Sequence, residues 1–559
     1  MKFNKSRYFG DLDKSRLPLL IDYISQIDNK LSDLHDYKFP LTKGDYSIDF
    51  FKYLKECELN DEPMSPEQLI EYMTYYFQNL PDWVNPGTMI NVIPAVNLLS
   101  AAEADVAMLF NPNCAQDTYS GNLLVAELEV IKYMSDLIGW DWTQSTGIFT
   151  FGGTGTNLYA TKLMILNVDE TSKQEGIDKG CYFSITSQNG HPCHYQVCDW
   201  LGLGSNTCIE ASCAETGEMD LIATEKIIRE NLDNGKIFLG FNLTGGSTNE
   251  MIIDSVEEVY SLREKIISDY NMTYRPMIHV DSVLGWVYLF FKDYSFDDNP
   301  AGFDGQTLAV LQSLWNKVRS FRYADTMGID FHKTGFCPYI TSLFVVKEKE
   351  KYFKLNPSKA YDLKTMKYGD YNPFYVSLEY SRSPNGPIAA LSCLKSLGKN
   401  AFCELIGDLV MASLYFRELL KANPDIFVIL PQSEGYATIF SLVPKGMQLK
   451  NIEDVKKLSE SDINYIKEMN VSFGKKVLGD CVKRKRKFIF TASRSYVLPG
   501  TNIKIGALKA YPMSVYFDKN QAKQIAEELT ESIKEFYEDV KAKEYDGYDL
   551  FQDMSKEDK

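Results

Sequence analysis

Hydrophobic and polar positions change rhythm three times along the chain. Up to about residue 110, helix-like segments are broken by Pro18, Pro63, Pro81, Pro86 and Pro94, with no strands alternating between them. Such short segments cannot bury their apolar faces on one another, so they read as a helical arm that must dock on something else. From residue 122 to 140 apolar residues recur at helical spacing: Leu124, Leu128, Ile131, Met134 and Ile138. A long block then alternates helical stretches with short β-rich runs at 147–151, 182–186, 237–243, 277–280 and 341–346. Each run is apolar enough to be buried on both faces, which predicts an α/β domain with a mostly parallel sheet flanked by helices. At Ser383-Pro384-Asn385-Gly386-Pro387 the chain turns sharply. Beyond it come a helical stretch, scattered strands and a last amphipathic helix carrying Ile525, Leu529, Ile533, Phe536 and Val540. The expected organisation is an N-terminal arm over 1–110, a large domain over 111–385 and a smaller α+β domain over 386–559.

Composition narrows the function classes. With 45% hydrophobic and 13% aromatic residues, disorder as the main state is excluded. Lys and Arg number 59 against 76 Asp and Glu, a net charge of −17 that repels nucleic-acid backbones and anionic membranes. Eleven scattered cysteines, an odd number, suit the reduced thiols of a cytoplasmic protein. The opening residues lack a signal-peptide apolar core, and the longest apolar run, residues 285–291, is too short to cross a bilayer. The basic run Lys483-Arg484-Lys485-Arg486-Lys487 precedes strand-like Phe488-Ile489-Phe490 and reads as a solvated charge cluster.

Chemistry-bearing residues gather in the α/β block, which holds four of the five histidines: His191, His194, His279 and His332. Residues 147–151 lead through Gly152-Gly153-Thr154-Gly155 into a helical segment, so backbone N–H groups at a helix start can hold an anion; a tight turn without a ligand reads the same way. His279-Val280-Asp281 ends an apolar run, where a parallel strand delivers a carboxylate to the ligand crevice. Such an Asp can pair with a cationic ring nitrogen or a metal, or cap a helix. In Asp330-Phe331-His332-Lys333, a lysine whose pKa an apolar neighbourhood depresses can form a Schiff base; an ordinary surface lysine is the other reading. His191-Pro192-Cys193-His194 with Cys198 offers zinc-type ligands, but at a spacing that matches no standard closed zinc site, so no metal is expected.

Taken in order, these segments resemble the group II pyridoxal-phosphate-dependent amino-acid decarboxylases, over roughly residues 111–398. The resemblance implies pyridoxal 5'-phosphate as cofactor and the fold type I architecture. It also implies that Gly153, Thr154 and Gly155 hold the phosphate. His194, ahead of Leu201-Gly202-Leu203-Gly204, is similar to the histidine that stacks on the pyridine ring. Gly246-Ser247-Thr248, with Asp254 six residues on, resembles the segment that brings Thr248 near the ring hydroxyl. Asp281 corresponds to the partner of the pyridine nitrogen, His332 to a residue at the phosphate, and Lys333 to the Schiff-base lysine. Ser282 and Val283 stand where the family usually has two alanines, which puts Val283 beside the cofactor. His332-Lys333-Thr334-Gly335-Phe336-Cys337-Pro338-Tyr339 and Asn111-Pro112-Asn113 resemble the bacterial tyrosine-decarboxylase branch, whereas Asn85-Pro86-Gly87 lacks the His-Pro often found in the family.

The implied activity is decarboxylation of an L-amino acid, with an aromatic or large apolar side chain favoured. Another carbon–carbon lyase on the same cofactor, and a non-catalytic scaffold keeping the fold, are the alternatives. In the family a mobile-loop tyrosine protonates Cα; the polar stretch 356–372 carries Tyr361, Tyr368 and Tyr371, of which Tyr361 is favoured by its place after Leu355-Asn356-Pro357. An arm unable to bury itself implies a homodimer with crossing arms.

Overall fold

The computed structural model describes residues 4–178 and 180–539. Val540, expected on the last helix, lies outside the described residues, as does the end of the 386–559 segment. The arm contributes one short strand, β1 (Thr88–Met89). Seven strands follow in the large domain: β2 (Thr146–Thr150), β3 (Tyr182–Ser187), β4 (Cys208–Ala211), β5 (Ile237–Thr244), β6 (Met277–Asp281), β7 (Thr326–Asp330) and β8 (Ser342–Val346). The last four are β9 (Ile426–Ile429), β10 (Thr438–Leu442), β11 (Ile489–Val497) and β12 (Lys504–Ala510).

The large sheet has the order β2-β8-β7-β6-β5-β3-β4. Only β8 runs antiparallel to its neighbours β2 and β7; the other pairings are parallel. Six strands therefore end at the same edge, and β8 begins there. Side chains alternate between two apolar layers, as a pleated sheet requires. Ile148, Leu239, Met277, Phe344 and Val346 face the helix Gly153–Val168 through Tyr159, Ala160, Leu163 and Met164. Phe149, Phe241, Ile278, Val280, Met327 and Leu343 face the opposite layer. Two of the strands are hidden in the sequence pattern. Strand β4 is a half-buried edge, and Gly328 interrupts β7 because a Cβ there would lie 2.3 Å from Thr156 Oγ1 on the covering helix.

The longest apolar run forms the 3-10 helix Gly285–Asp293, with residues 285–291 fully enclosed and Phe290 stacked on Phe402 at 4.2 Å. Its apolarity is that of a core element, and among the described residues no helix is long and apolar enough to cross a membrane.

The small sheet has the order β1-β11-β12-β10-β9, so the arm is not purely helical: β1 pairs in parallel with β11 through Thr88–Ile489 and Met89–Phe490. Close approach demands Gly87, where a Cβ would fall 1.8 Å from the Lys487 carbonyl oxygen. The basic run does more than face solvent. Arg484 donates to the Leu41 carbonyl at 2.5 Å in the arm, and Arg486 pairs with Glu531 and Glu535 at 2.7 and 2.6 Å on the last helix. The arm also leaves an apolar face exposed, with Phe50, Phe51, Leu54 and Tyr76 uncovered.

A buried ion pair fixes the strand that leads into the site. Glu127 has no exposed surface and pairs with Arg382, while accepting from the Phe149 N–H at 2.9 Å and the Tyr371 hydroxyl at 3.0 Å. Arg382 also donates to the Phe149 carbonyl at 3.1 Å. Asp117 accepts from the Gly369 and Tyr371 N–H groups at 2.9 and 3.2 Å, which pins the end of the 356–372 stretch. Removing one partner strands the other charge in a dry interior. Glu127→Gln is expected to lower stability by about 3 kcal/mol, read as a fall in the urea midpoint.

Candidate active site

The carboxyl edge of the parallel strands brings Thr150, Thr244, Asp281 and Asp330 to one side of the sheet, with Ser342 opposite both Thr150 and Asp330 in register. After Thr150 the chain turns through Gly152, whose φ of +120° lies in the region that favours glycine, into the helix Gly153–Val168. A Cβ on Gly153 would sit 2.9 Å from Asp330 Oδ2 and 3.0 Å from Val283 Cγ1, and one on Gly155 would sit 2.6 Å from Thr150 Oγ1. The bare backbone leaves the first N–H groups of a 16-residue helix free to meet an anion. Thr154 is exposed at this turn, beside the Cys193 thiol.

Strand β6 delivers Asp281 into this space. Its Oδ2 accepts from Asn157 Nδ2 at 2.9 Å and lies 3.5 Å from His194 Nε2 on the helix Cys193–Trp200. Its Oδ1 is buried and accepts no hydrogen bond from the described residues. Burial pushes the Asp281 carboxyl up, yet His194, His191, the Asn157 amide and His279 outweigh it and hold the pKa below the usual carboxylate value. A buried anion with one open oxygen is thus built into the site, suited to a cationic N–H. Burial lowers the pKa of His191, which faces Asp281, Lys333 and Asp330 together.

Strand β7 ends in Asp330, and the turn after it places Lys333 Nζ 2.9 Å from Asp330 Oδ2. Ser342 donates to Asp330 Oδ1 at 2.5 Å, and His332 Nε2 lies 3.5 Å from Oδ2. The His332 ring packs against Tyr339 at 4.0 Å, and burial lowers its pKa. The expectation that apolar surroundings depress the Lys333 pKa is corrected here. Burial does act in that direction, but the Asp330 carboxylate, with Asp281 and Tyr339, outweighs it and holds the amine above the ordinary lysine value. Lys333 and Asp281 share one cleft, close enough to influence each other electrostatically.

Thr248 is half-buried on the segment after β5, where its carbonyl accepts from the Tyr511 hydroxyl at the end of β12. Val283 packs beside Gly153. Tyr361 is not brought to this cluster. Its hydroxyl meets Thr146 Oγ1 at 3.1 Å, at the far end of β2, about 13 Å of strand away from Thr150. Its ring is wedged against Phe353 and Tyr371, and burial raises its pKa to about 12. Among the described residues no group of His, Cys, Asp or Glu is placed to hold a metal ion.

Two functional contacts escape the sequence reading. Asn157 sits one turn inside the helix after Gly153, and that spacing points its amide back to the same edge. Asp330 lies three residues before Lys333, the spacing that lets the pair meet across a turn.

The Asp330–Lys333 contact has a direct consequence. In Asp330→Asn the opposing effect of burial prevails and the amine loses its proton at lower pH. The pH profile of Lys333 modification by an amine-reactive reagent, followed by peptide mass spectrometry without cofactor, is expected to move down by about one unit or more.

No family model matches the chain. It is 28% identical over 251 residues to an L-tyrosine decarboxylase of Enterococcus faecium, a stretch covering 42% of this chain and 40% of that relative. It is 22% identical over 437 residues to an L-2,4-diaminobutyrate decarboxylase of Acinetobacter baumannii, covering 74% of this chain and 78% of that one. The fold is shared with mouse CSAD in its apo form, at a TM-score of 0.74 and 15% identity, over 92% of this chain and 98% of that structure. With the ordered motifs and the open carboxylate at the end of β6, these matches lead to one conclusion: the chain is similar in sequence to pyridoxal-phosphate-dependent amino-acid decarboxylases of group II and shares the fold of their solved structures.

Proposed function

We propose that the chain decarboxylates an L-amino acid to its primary amine and CO₂ with pyridoxal 5'-phosphate, and that the substrate side chain is aromatic or large and apolar. The observation that carries the reading is the buried, anionic Asp281 with Oδ1 open, in one cleft with Lys333 and the bare turn at Gly153. When bound, the cofactor supplies a cationic ring that spreads the charge left at Cα as CO₂ departs.

The chain's residues supply the rest. Gly153, Thr154 and Gly155 bind the phosphate with N–H groups at the positive end of the helix; His332 stands at the same anion. Asp281 would hold the proton of the ring nitrogen. His194 would hold the ring and orient the substrate carboxylate. Thr248 serves the ring hydroxyl, Val283 closes the side next to Gly153, and Lys333 tethers the cofactor. Tyr361 carries the proton for Cα; because Thr146 holds its hydroxyl in this structure, delivery requires the 356–372 segment to move. The exposed aromatic face of the arm supports a homodimer, and eleven scattered cysteines, an odd number, support a cytoplasmic home.

The preference for an aromatic substrate draws on the segment from His332 to Tyr339 and on the tyrosine decarboxylase relative. The diaminobutyrate decarboxylase relative supplies the competing substrate class, a short cationic amino acid.

Purified protein supplied with the cofactor is expected to absorb in the visible, and borohydride to fix the label on Lys333 in a peptide map. Incubation with a panel of amino acids should then release CO₂ and an aromatic amine. Lys333→Ala is expected to lower amine formation by on the order of 10³-fold or more. An aldehyde fragment without CO₂ would replace the reading with a different lyase, and a protein that gains no colour would replace it with a scaffold. Amine from diaminobutyrate alone would overturn the aromatic preference.

A further inference from the structure

Behind Asp281, Asn157 and His279 continue into a buried chain of side chains that ends at Thr326. Thr326 Oγ1 lies 2.9 Å from His279 Nδ1, and His279 Nε2 lies 2.8 Å from Asn157 Oδ1. Asn157 Nδ2 donates to Asp281 Oδ2 at 2.9 Å and to Cys193 Sγ at 3.2 Å. All four members from Thr326 to Asp281 are buried. Three come from neighbouring strands of the sheet, His279 and Asp281 on β6 and Thr326 on β7, with His279 and Thr326 paired in register, and Asn157 comes from the covering helix.

The direction of every hydrogen bond in this chain is decided by chemistry. Asp281 is anionic and can only accept, so the Asn157 amide must present its NH₂ to it and its oxygen to His279. His279 must then donate from Nε2. Burial holds its pKa down to about 3, so the ring is neutral and carries one proton. Nδ1 is therefore the acceptor, and the Thr326 hydroxyl donates to it. One arrangement satisfies all four groups. It places a neutral donor on Oδ2 of Asp281 and none on Oδ1.

We propose that Thr326, His279 and Asn157 form a one-way hydrogen-bond chain that occupies Oδ2 of Asp281 and thereby reserves Oδ1 for the cationic ring N–H of the cofactor. Asn157 is the positioning residue in contact with the carboxylate, and His279 and Thr326 act through it. The inference rests on the assignment of the ring nitrogen to Asp281 made above. Without Asn157, Oδ2 keeps only the longer 3.5 Å contact with His194 Nε2 among the contacts described above, and the carboxylate is held less firmly toward the ring nitrogen.

The test compares two ligands on the full chain: pyridoxal 5'-phosphate and its analogue with C–H in place of the ring nitrogen. Wild-type protein is expected to prefer the natural cofactor in equilibrium binding. In Asn157→Leu that preference should shrink about tenfold, while binding of the analogue, which has no ring N–H, changes little. Thr326→Val, which removes only the hydroxyl, should move the preference in the same direction by a smaller factor. His279→Gln keeps a donor toward Asn157 and should restore most of what His279→Leu loses. Equal weakening of both ligands in Asn157→Leu and Thr326→Val would mean that these residues merely support the fold, and an unchanged preference would mean that they do not set the carboxylate; either overturns the proposal. If wild-type protein binds both ligands equally well, it is the assignment of Asp281 to the ring nitrogen that fails, and the proposal falls with it.

Discussion

One buried negative charge organises the functional half of this molecule. Asp281 is kept ionised in a dry site because dipoles and rings converge on one of its oxygens, and the cost of burying the charge is offset before any ligand arrives. The other oxygen remains as unspent acceptor capacity inside the fold. A buried polar atom left in this state is stable only when the surrounding structure holds it rigidly. Strands β5, β6 and β7 do so through continuous pairing up to Asp281.

A second carboxylate in the cleft has a different function. Asp330 meets Lys333 and holds it charged, whereas Asp281 keeps one oxygen open, so the two acids differ in what they meet. Their separation follows from the strand order, since β6 and β7 are adjacent and end at the same edge. The glycine turn after β2 reaches the same place only because β8 lies between β2 and β7, bringing Thr150 and Asp330 into register with Ser342.

The small sheet is also tied to this edge. Tyr496 and Ser247 hold the buried Glu250, Lys509 reaches Asn249 at 2.9 Å, and Tyr511 holds the Thr248 carbonyl. Burial raises the Glu250 pKa, and its hydroxyl partners suit a carboxyl in that setting. The segment expected to serve the ring hydroxyl is therefore positioned from β11 and β12, more than two hundred residues further along the chain.

Local pattern was enough to reveal much of this. Runs buried on both faces announced parallel strands, because only such strands lack a polar face; the glycines before residue 158, the Asp at a strand end and the His-Lys pair marked out the edge where these groups gather, because few side chains carry such chemistry. Other features depended on which distant residues met. The strand character of β4 and β7 was hidden by a half-exposed edge and by Gly328, which is small for the sake of a neighbouring helix. The amine of Lys333 is governed by Asp330 and Asp281, so its charge could not be read from apolar neighbours in sequence. Tyr361 looked free on a polar stretch, but Thr146 from the start of β2 and the nearby rings of Phe353 and Tyr371 claim it. Hydrophobic periodicity and residue chemistry are properties of short segments, and the sequence states them directly; electrostatic environment and seating are sums over groups far apart in the chain, and only the tertiary structure brings those groups together.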